Sequence, residues 1–207
     1  EQEVPEGAFL RNEQVVVRAG GKESTVFLTK DLRIRGPHNL ANSLAAALAA
    51  TVIGIEPEAI RRAISGYTGL EHRMEHVETI RGVEFINDSK ATNLDALCRA
   101  LETVEGPVVL IAGGKDKGSD WPAIADLVGR SVKSVLAVGE AREKIRVAFS
   151  GIVEVETVDG FEDAVRRSFR KASRGESVLL SPGCASFDMF RDFEDRGDRF
   201  RQLVEAL

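Results

Sequence analysis

From about residue 70 onward, short apolar runs alternate with amphipathic stretches, at the spacing of strands followed by helices. Strand candidates are Val77–Ile80, Val83–Asn87, Val108–Ala112, Ser134–Val138, Val153–Thr157 and Val178–Leu180. Helix candidates are Leu94–Glu102, Pro122–Val128, Arg142–Ala148 and Phe161–Ser173, with a last helix from about Ser186 to Ala206. Thr92 with Asp95, and Asp159 with Glu162, have the spacing of helix caps. The alternation predicts an α/β fold, with a mostly parallel, doubly wound, Rossmann-like sheet covered on both faces.

The first 70 residues have a different pattern. Residues 1–13 are polar and read as a loop. Gln14–Arg18 and Ser24–Leu28 flank Gly20-Gly21 as a β-hairpin. An alanine-rich helix is expected over Asn39–Thr51, and a second over Pro57–Ser65, with its proline in the first turn. Gly66-Tyr67-Thr68-Gly69 is a plausible linker, so the expected domains are 1–70 and 71–207.

The chain has 207 residues, 43% hydrophobic and 29% charged, with a net charge of −5. That balance carries no basic footprint for nucleic acid. Two cysteines, Cys98 and Cys184, are too few for a disulfide framework or a cysteine metal cluster. No apolar run approaches the ~20 residues that span a bilayer. The first residue is Glu rather than Met, which fits a chain that begins partway through a larger protein.

Motif tests remove two common nucleotide sites. No Gly-x-Gly-x-x-Gly follows a predicted strand. Gly113–Gly118 has Gly-x4-Gly spacing, but Ser119 and Asp120 stand where a phosphate loop needs Lys and Ser/Thr.

Four polar clusters remain, each beside an element end. In Gly36-Pro37-His38-Asn39-Leu40-Ala41-Asn42, the two asparagines share a helix face, although Asn39 taken alone reads more simply as the helix cap. In His72-Arg73-Met74-Glu75, Arg73 suits a phosphate clamp or a solvated surface, and His72 reads more simply as a satisfied histidine. In Asn87–Asn93, Asp88 can accept ribose hydroxyls, Lys90 can face an anion and Thr92 can donate to a carboxylate. The loops Gly114–Asp120 and Ser181–Phe187 offer Lys117 and Ser186 as carboxylate partners, Ser186 near the expected helix start. Phe187, Phe190 and Phe193 fall three apart, as on a packed helix face. Cys184 has no nearby His, so packing is preferred to a nucleophilic role.

These clusters resemble the Mur ligases of peptidoglycan synthesis, most closely the D-glutamate-adding branch. The resemblance runs from about residue 14 to the end and rests on His38-Asn39-x-x-Asn42, His72-Arg73, Asn87–Asn93, Gly113-Gly114-x-x-Lys117 and Ser181-Pro182-x-Cys184-Ala185-Ser186-x-Asp188. It implies ATP contacts from Asn42 (adenine), Arg73 (phosphates) and Asp88 (ribose). It also implies D-glutamate contacts from Thr92, Lys117, Ser186, Phe187 and Phe193, with Arg73 and Lys90 near the reacting groups. It further implies that ATP, with Mg²⁺, converts the carboxylate of UDP-N-acetylmuramoyl-L-alanine into an acyl phosphate, which the D-glutamate amine then attacks.

By the same resemblance, 1–70 is the tail of an ATP-binding central domain and 71–207 the amino-acid-binding domain. The family's phosphate loop and metal ligands are not among these residues, so the chain is expected to be a fragment that is inactive alone. We expect a cytoplasmic monomer with small-molecule substrates and no nucleic-acid or membrane partner. The alternatives are a folylpolyglutamate synthetase-like ligase and a binding module without chemistry.

Overall fold

The computed structural model describes residues 3–34 and 36–207, which fall into two units, Glu1–Gly69 and Leu70–Leu207. In the first unit, β1 (Gly7–Arg11), β2 (Gln14–Ala19) and β3 (Lys22–Leu28) form an antiparallel sheet in that order. Strand β1 corrects the expected loop over residues 1–13, of which Glu1 and Gln2 lie outside the described residues. Its anchor is Phe9, buried beneath the guanidinium groups of Arg11 and Arg18 at 5.4 and 5.1 Å. Helices α1 (Pro37–Val52) and α2 (Pro57–Gly66) pack against Val15, Val17, Val26 and Phe27 through Ala47 and Ile60. Helix α1 starts at Pro37 with Gly36 as its cap residue, so Asn39 lies inside the first turn and is not the cap.

The second unit runs β4 (Glu75–Ile80), β5 (Val83–Asn87), α3 (Leu94–Thr103), β6 (Val108–Gly113), α4 (Ala125–Ser131), β7 (Val132–Val138), α5 (Arg142–Ala148), β8 (Glu154–Thr157), α6 (Phe161–Lys171), β9 (Ser177–Leu180) and α7 (Phe193–Glu205). Its six-stranded sheet has the order β4-β5-β9-β6-β7-β8, with β4 antiparallel to β5 and every other pairing parallel.

Alternate strand residues feed two cores, as the period of two requires. Leu110, Ala112, Val135 and Leu179 pack with Leu97, Val128 and Ile145 of α3, α4 and α5. Val109, Ile111, Leu136 and Leu180 pack with Val165 and Phe200 of α6 and α7. The chain steps outward through β6, β7 and β8, then returns to insert β9 between β5 and β6. The loops after β5, β9 and β6 therefore leave the carboxyl edge side by side, where the winding direction reverses.

Local starts differ from the pattern in four places. Helix α3 is capped by Asn93, whose side chain accepts from Ala96 N at 2.9 Å, so Thr92 is not its cap. Helix α6 begins after Gly160 with no side-chain cap, so Asp159 does not serve there. The expected helix at Pro122 opens as a 3-10 turn, Trp121–Ile124, before α4. The last helix begins at Phe193, seven residues beyond Ser186. Asp192 is extended and accepts from Asp195 N at 2.7 Å, a cap that fixes the start there.

Candidate functional site

Three loops at the carboxyl edge are tied together by backbone contacts. Gly113 N donates to Pro182 O and Lys115 N to Ala185 O, each at 2.8 Å, joining the loops after β6 and β9. Gly114 makes this approach possible: its φ is +131°, and a Cβ there would sit 2.4 Å from Ala185 O. Asp188 ties in the turn after β7, accepting from Glu140 N at 2.9 Å.

Arg196 joins the loops after β5 and β9 from below. It projects from the first turns of α7 and is 1% exposed. Its Nε donates to Ser89 Oγ (2.9 Å), Nη2 to Ser89 O (2.8 Å), and both Nη atoms to Cys184 O (3.2 Å). Burial pulls the guanidinium down to about 10, so it is still charged at neutral pH. Ser89 Oγ in turn donates to Phe193 O at 2.7 Å.

Asp88, at the end of β5, is 7% exposed. It accepts from Ser181 Oγ at 2.9 Å and from Met74 N at 3.3 Å. Burial raises its carboxyl to about 7, against the opposing pull of those two bonds. The segment before β4 is held to the same place. Lys90 N donates to His72 O at 3.0 Å, and the Asn87 amide meets His72 Nδ1 at 3.1 Å and donates to Glu75 at 3.0 Å. His72 and Met74 have φ of +61° and +47°, so Arg73 is displayed from a strained turn, with its side chain exposed.

Lys90 is half-buried, with Nζ 3.6 Å from the centroid of the Phe193 ring. Thr92 is half-buried on the same loop. Lys117 is exposed in the loop after β6, which Asp116 shapes by accepting from Gly118 N (3.1 Å) and Ser119 N (3.3 Å). Lys144 pairs with Asp116 and holds that carboxyl below its ordinary value. Ser186 is buried, and Phe187 stands out from the loop at 65% exposure. Burial pushes the Cys184 thiol up to about 12, which suits packing and not nucleophilic attack.

Residues 72–184 match the family model described as the Mur ligase, glutamate ligase domain. The chain belongs to the Mur ligase family. Among curated Mur ligases it is 50% identical to the UDP-N-acetylmuramoylalanine–D-glutamate ligase of Chlorobium phaeobacteroides (strain DSM 266 / SMG 266 / 2430), over 94% of this chain and 42% of that protein. It is 44% identical to the Salinibacter ruber protein of the same name, over 97% of this chain and 44% of the relative. It thus spans less than half the length of these relatives. In fold it is similar to the UDP-N-acetylmuramate-alanine ligase of Thermotoga maritima, with a TM-score of 0.66 at 16% identity over 94% of this chain and 44% of that one. The folylpolyglutamate synthase of Mycobacterium tuberculosis gives 0.65 at 14% identity, over 95% and 46%.

Of the residues expected at a Mur ligase site, Asp88, Lys90, Thr92, Lys117, Ser186 and Phe187 lie on the three interlocked loops, and Phe193 opens α7 beside them. Arg73 reaches the group through its strained turn. Asn42 is exposed on α1 of the first unit. Two expectations about these residues need correction. Ser186 stands in a loop seven residues before the helix, so no helix terminus assists it. Phe187, Phe190 and Phe193 share no helix face: Phe187 is exposed, Phe190 packs edge-on against Phe161, and Phe193 lies by Lys90.

The pattern missed Arg196, and it gave no individual role to Asn87 and Ser181, which it placed only within its clusters. Arg196 sits among charged residues that look like a solvated helix face. The available signal was Gly197 inside the helix, where a Cβ would lie 2.1 Å from His72 Nδ1.

Proposed function

We propose that this chain serves an ATP-dependent ligase that joins D-glutamate to UDP-N-acetylmuramoyl-L-alanine in cytoplasmic peptidoglycan synthesis, acting as a monomer. The observation that carries the reading is the interlocked loop cluster, with Lys90 and Lys117 on loops that also hold Thr92, Ser186 and Phe187. D-Glutamate carries two carboxylates and one amine, so it needs cations and hydroxyl donors around a water-poor floor. The names of the 44–50% identical relatives specify the same reaction.

In this reading the second unit binds the amino acid, through Thr92, Lys117, Ser186, Phe187 and Phe193. The first unit is the end of an ATP-binding domain. ATP would supply the phosphoryl group that converts the acceptor carboxylate into an acyl phosphate. Asn42 would meet the adenine, Arg73 the phosphates and Asp88 the ribose hydroxyls. The chemistry of Arg73 and Asp88 fits that group: one is an exposed cation on a fixed turn, the other a buried carboxyl held by only two donors. Lys90 and Arg73 would offset charge as the amine nitrogen forms the amide bond and phosphate departs. Among the described residues no three ligating side chains cluster to hold a metal ion, so no step is assigned to Mg²⁺ on this chain.

Isothermal titration of the chain with D-glutamate tests the proposal. Weak binding that Lys117→Ala abolishes is expected. Equal affinity in the variant would remove Lys117 from the carboxylate site, and preference for L-glutamate over D-glutamate would favour the folylpolyglutamate-type alternative.

A further inference from the structure

Lys90 is placed differently from the ion-paired cations of this unit. Lys133, Lys144, Arg167 and Lys171 each meet a carboxylate, which fixes the side chain and cancels its charge. Lys90 forms no ion pair among the described residues, and its ammonium lies 3.6 Å from the centroid of the Phe193 ring. An aromatic face attracts a cation through its quadrupole without carrying a net charge. It can therefore hold an ammonium in place and leave the charge available to an anion.

The ring is itself held. Phe193 is the first residue of α7, its carbonyl accepts from Ser89 Oγ at 2.7 Å, and its edge meets the His72 ring with centroids 6.1 Å apart. Lys90 is fixed from the other side by its own N–H on His72 O. Ring and ammonium are thus referenced to the same two residues, Ser89 and His72.

We propose that Phe193 is a positioning residue for Lys90. Its ring holds the ammonium at the mouth of the loop cluster while keeping it uncompensated, so that the free N–H donors meet a substrate anion. The function of Phe193 is then exerted through Lys90, and direct contact with the amino acid is secondary. The inference rests on the amino-acid site proposed above.

The test uses the full 207-residue chain with fluorinated phenylalanines at position 193, which keep the ring's shape while weakening its attraction for cations with each added fluorine. Two readouts are taken. The first is the shift of the Lys90 ε-CH2 protons in the ligand-free, 13C-lysine-labelled chain, which the ring current should move upfield. The upfield shift is expected to shrink stepwise from Phe to trifluoro-Phe and to vanish in Phe193→Leu, with urea midpoints of the fluorinated series unchanged. A signal at the ordinary lysine position in the parent, or one unmoved across the series, would overturn the proposal.

The second readout is D-glutamate affinity, expected to fall about two- to fivefold across the series. In a Lys90→Met background the series should then have no further effect. Affinity that is constant in the parent background, or that falls equally without Lys90, refutes positioning through Lys90. If the ring-current series behaves as expected but the parent binds no D-glutamate, the placement of Lys90 stands and the amino-acid site is what fails.

Discussion

Replacing Arg196 sets two large effects against each other. With the guanidinium gone, the carbonyls of Ser89 and Cys184 lose their donors inside the protein. A buried acceptor left without a partner costs about 1–3 kcal/mol, so two cost about 2–6 kcal/mol. Against this, burial holds the group down from 12.5 to about 10, a penalty on the charged form of roughly 3 kcal/mol. An apolar side chain of similar length removes that penalty together with the bonds. Arg196→Met should therefore fall between about 1 kcal/mol more stable and about 3 kcal/mol less stable than the parent. Arg196→Lys keeps a buried charge but lacks the planar fork that reaches both loops, so it should be at least as destabilised as Met. Urea unfolding followed by Trp121 fluorescence reads this directly, since that lone tryptophan is buried in the same unit. D-Glutamate binding should fall more than stability does in the Met variant, because the two loops are no longer held in register. A Lys variant that unfolds with the parent, or a Met variant more than about 4 kcal/mol less stable, would refute the balance described.

Asp88 gives a pH signature. Its folded value of about 7 lies above an ordinary carboxyl, so between about pH 4 and 7 the native state keeps a proton that the unfolded chain has released. Stability from this group is full below that window and declines as pH rises through it, by up to roughly 4 kcal/mol. Asp88→Asn can still accept from Met74 N and donate to Ser181 Oγ, and urea midpoints measured from pH 4 to 8 should lose that slope. Gly197→Ala gains about 1 kcal/mol of helix propensity, yet its Cβ meets His72 Nδ1 at 2.1 Å. A net loss of about 1–3 kcal/mol is expected in the same unfolding assay. Lys117→Ala should abolish D-glutamate binding and leave the urea midpoint within about 0.5 kcal/mol of the parent, since the side chain is exposed.

The strands of the second unit were legible because parallel strands covered on both faces leave little ambiguity, as Val83–Asn87 shows by matching the expected limits. Strand β1 was not, because its short apolar run Ala8-Phe9-Leu10 is set among charged residues and follows Pro5 and Gly7, so the segment reads as loop. The start of α7 was misplaced because Ser186-Phe187-Asp188 has the composition of a helix opening, while the decisive cap at Asp192 is a matter of geometry. Polar groups crowded at strand ends pointed to the loop cluster. Arg196 stayed hidden because its partners are main-chain carbonyls about a hundred and about a dozen residues away, and carbonyls have no sequence signal. Lys90 was marked for its charge, but nothing in the spacing of Lys90 and Phe193 shows that they touch.

The placement of β9 also bears on the order in which the unit can assemble. Its neighbours β5 and β6 are about 90 and 70 residues upstream, and neither completes its pairing until Ser177–Leu180 arrives. During synthesis both strands leave the ribosome with an open edge facing the gap, a template for pairing with other chains. Closing the gap requires long-range contacts, which slow folding. The residues that complete the candidate pocket also follow β9 directly. Pocket formation and closure of the sheet are therefore one late event, and truncation before residue 177 would leave both the sheet and the pocket unmade.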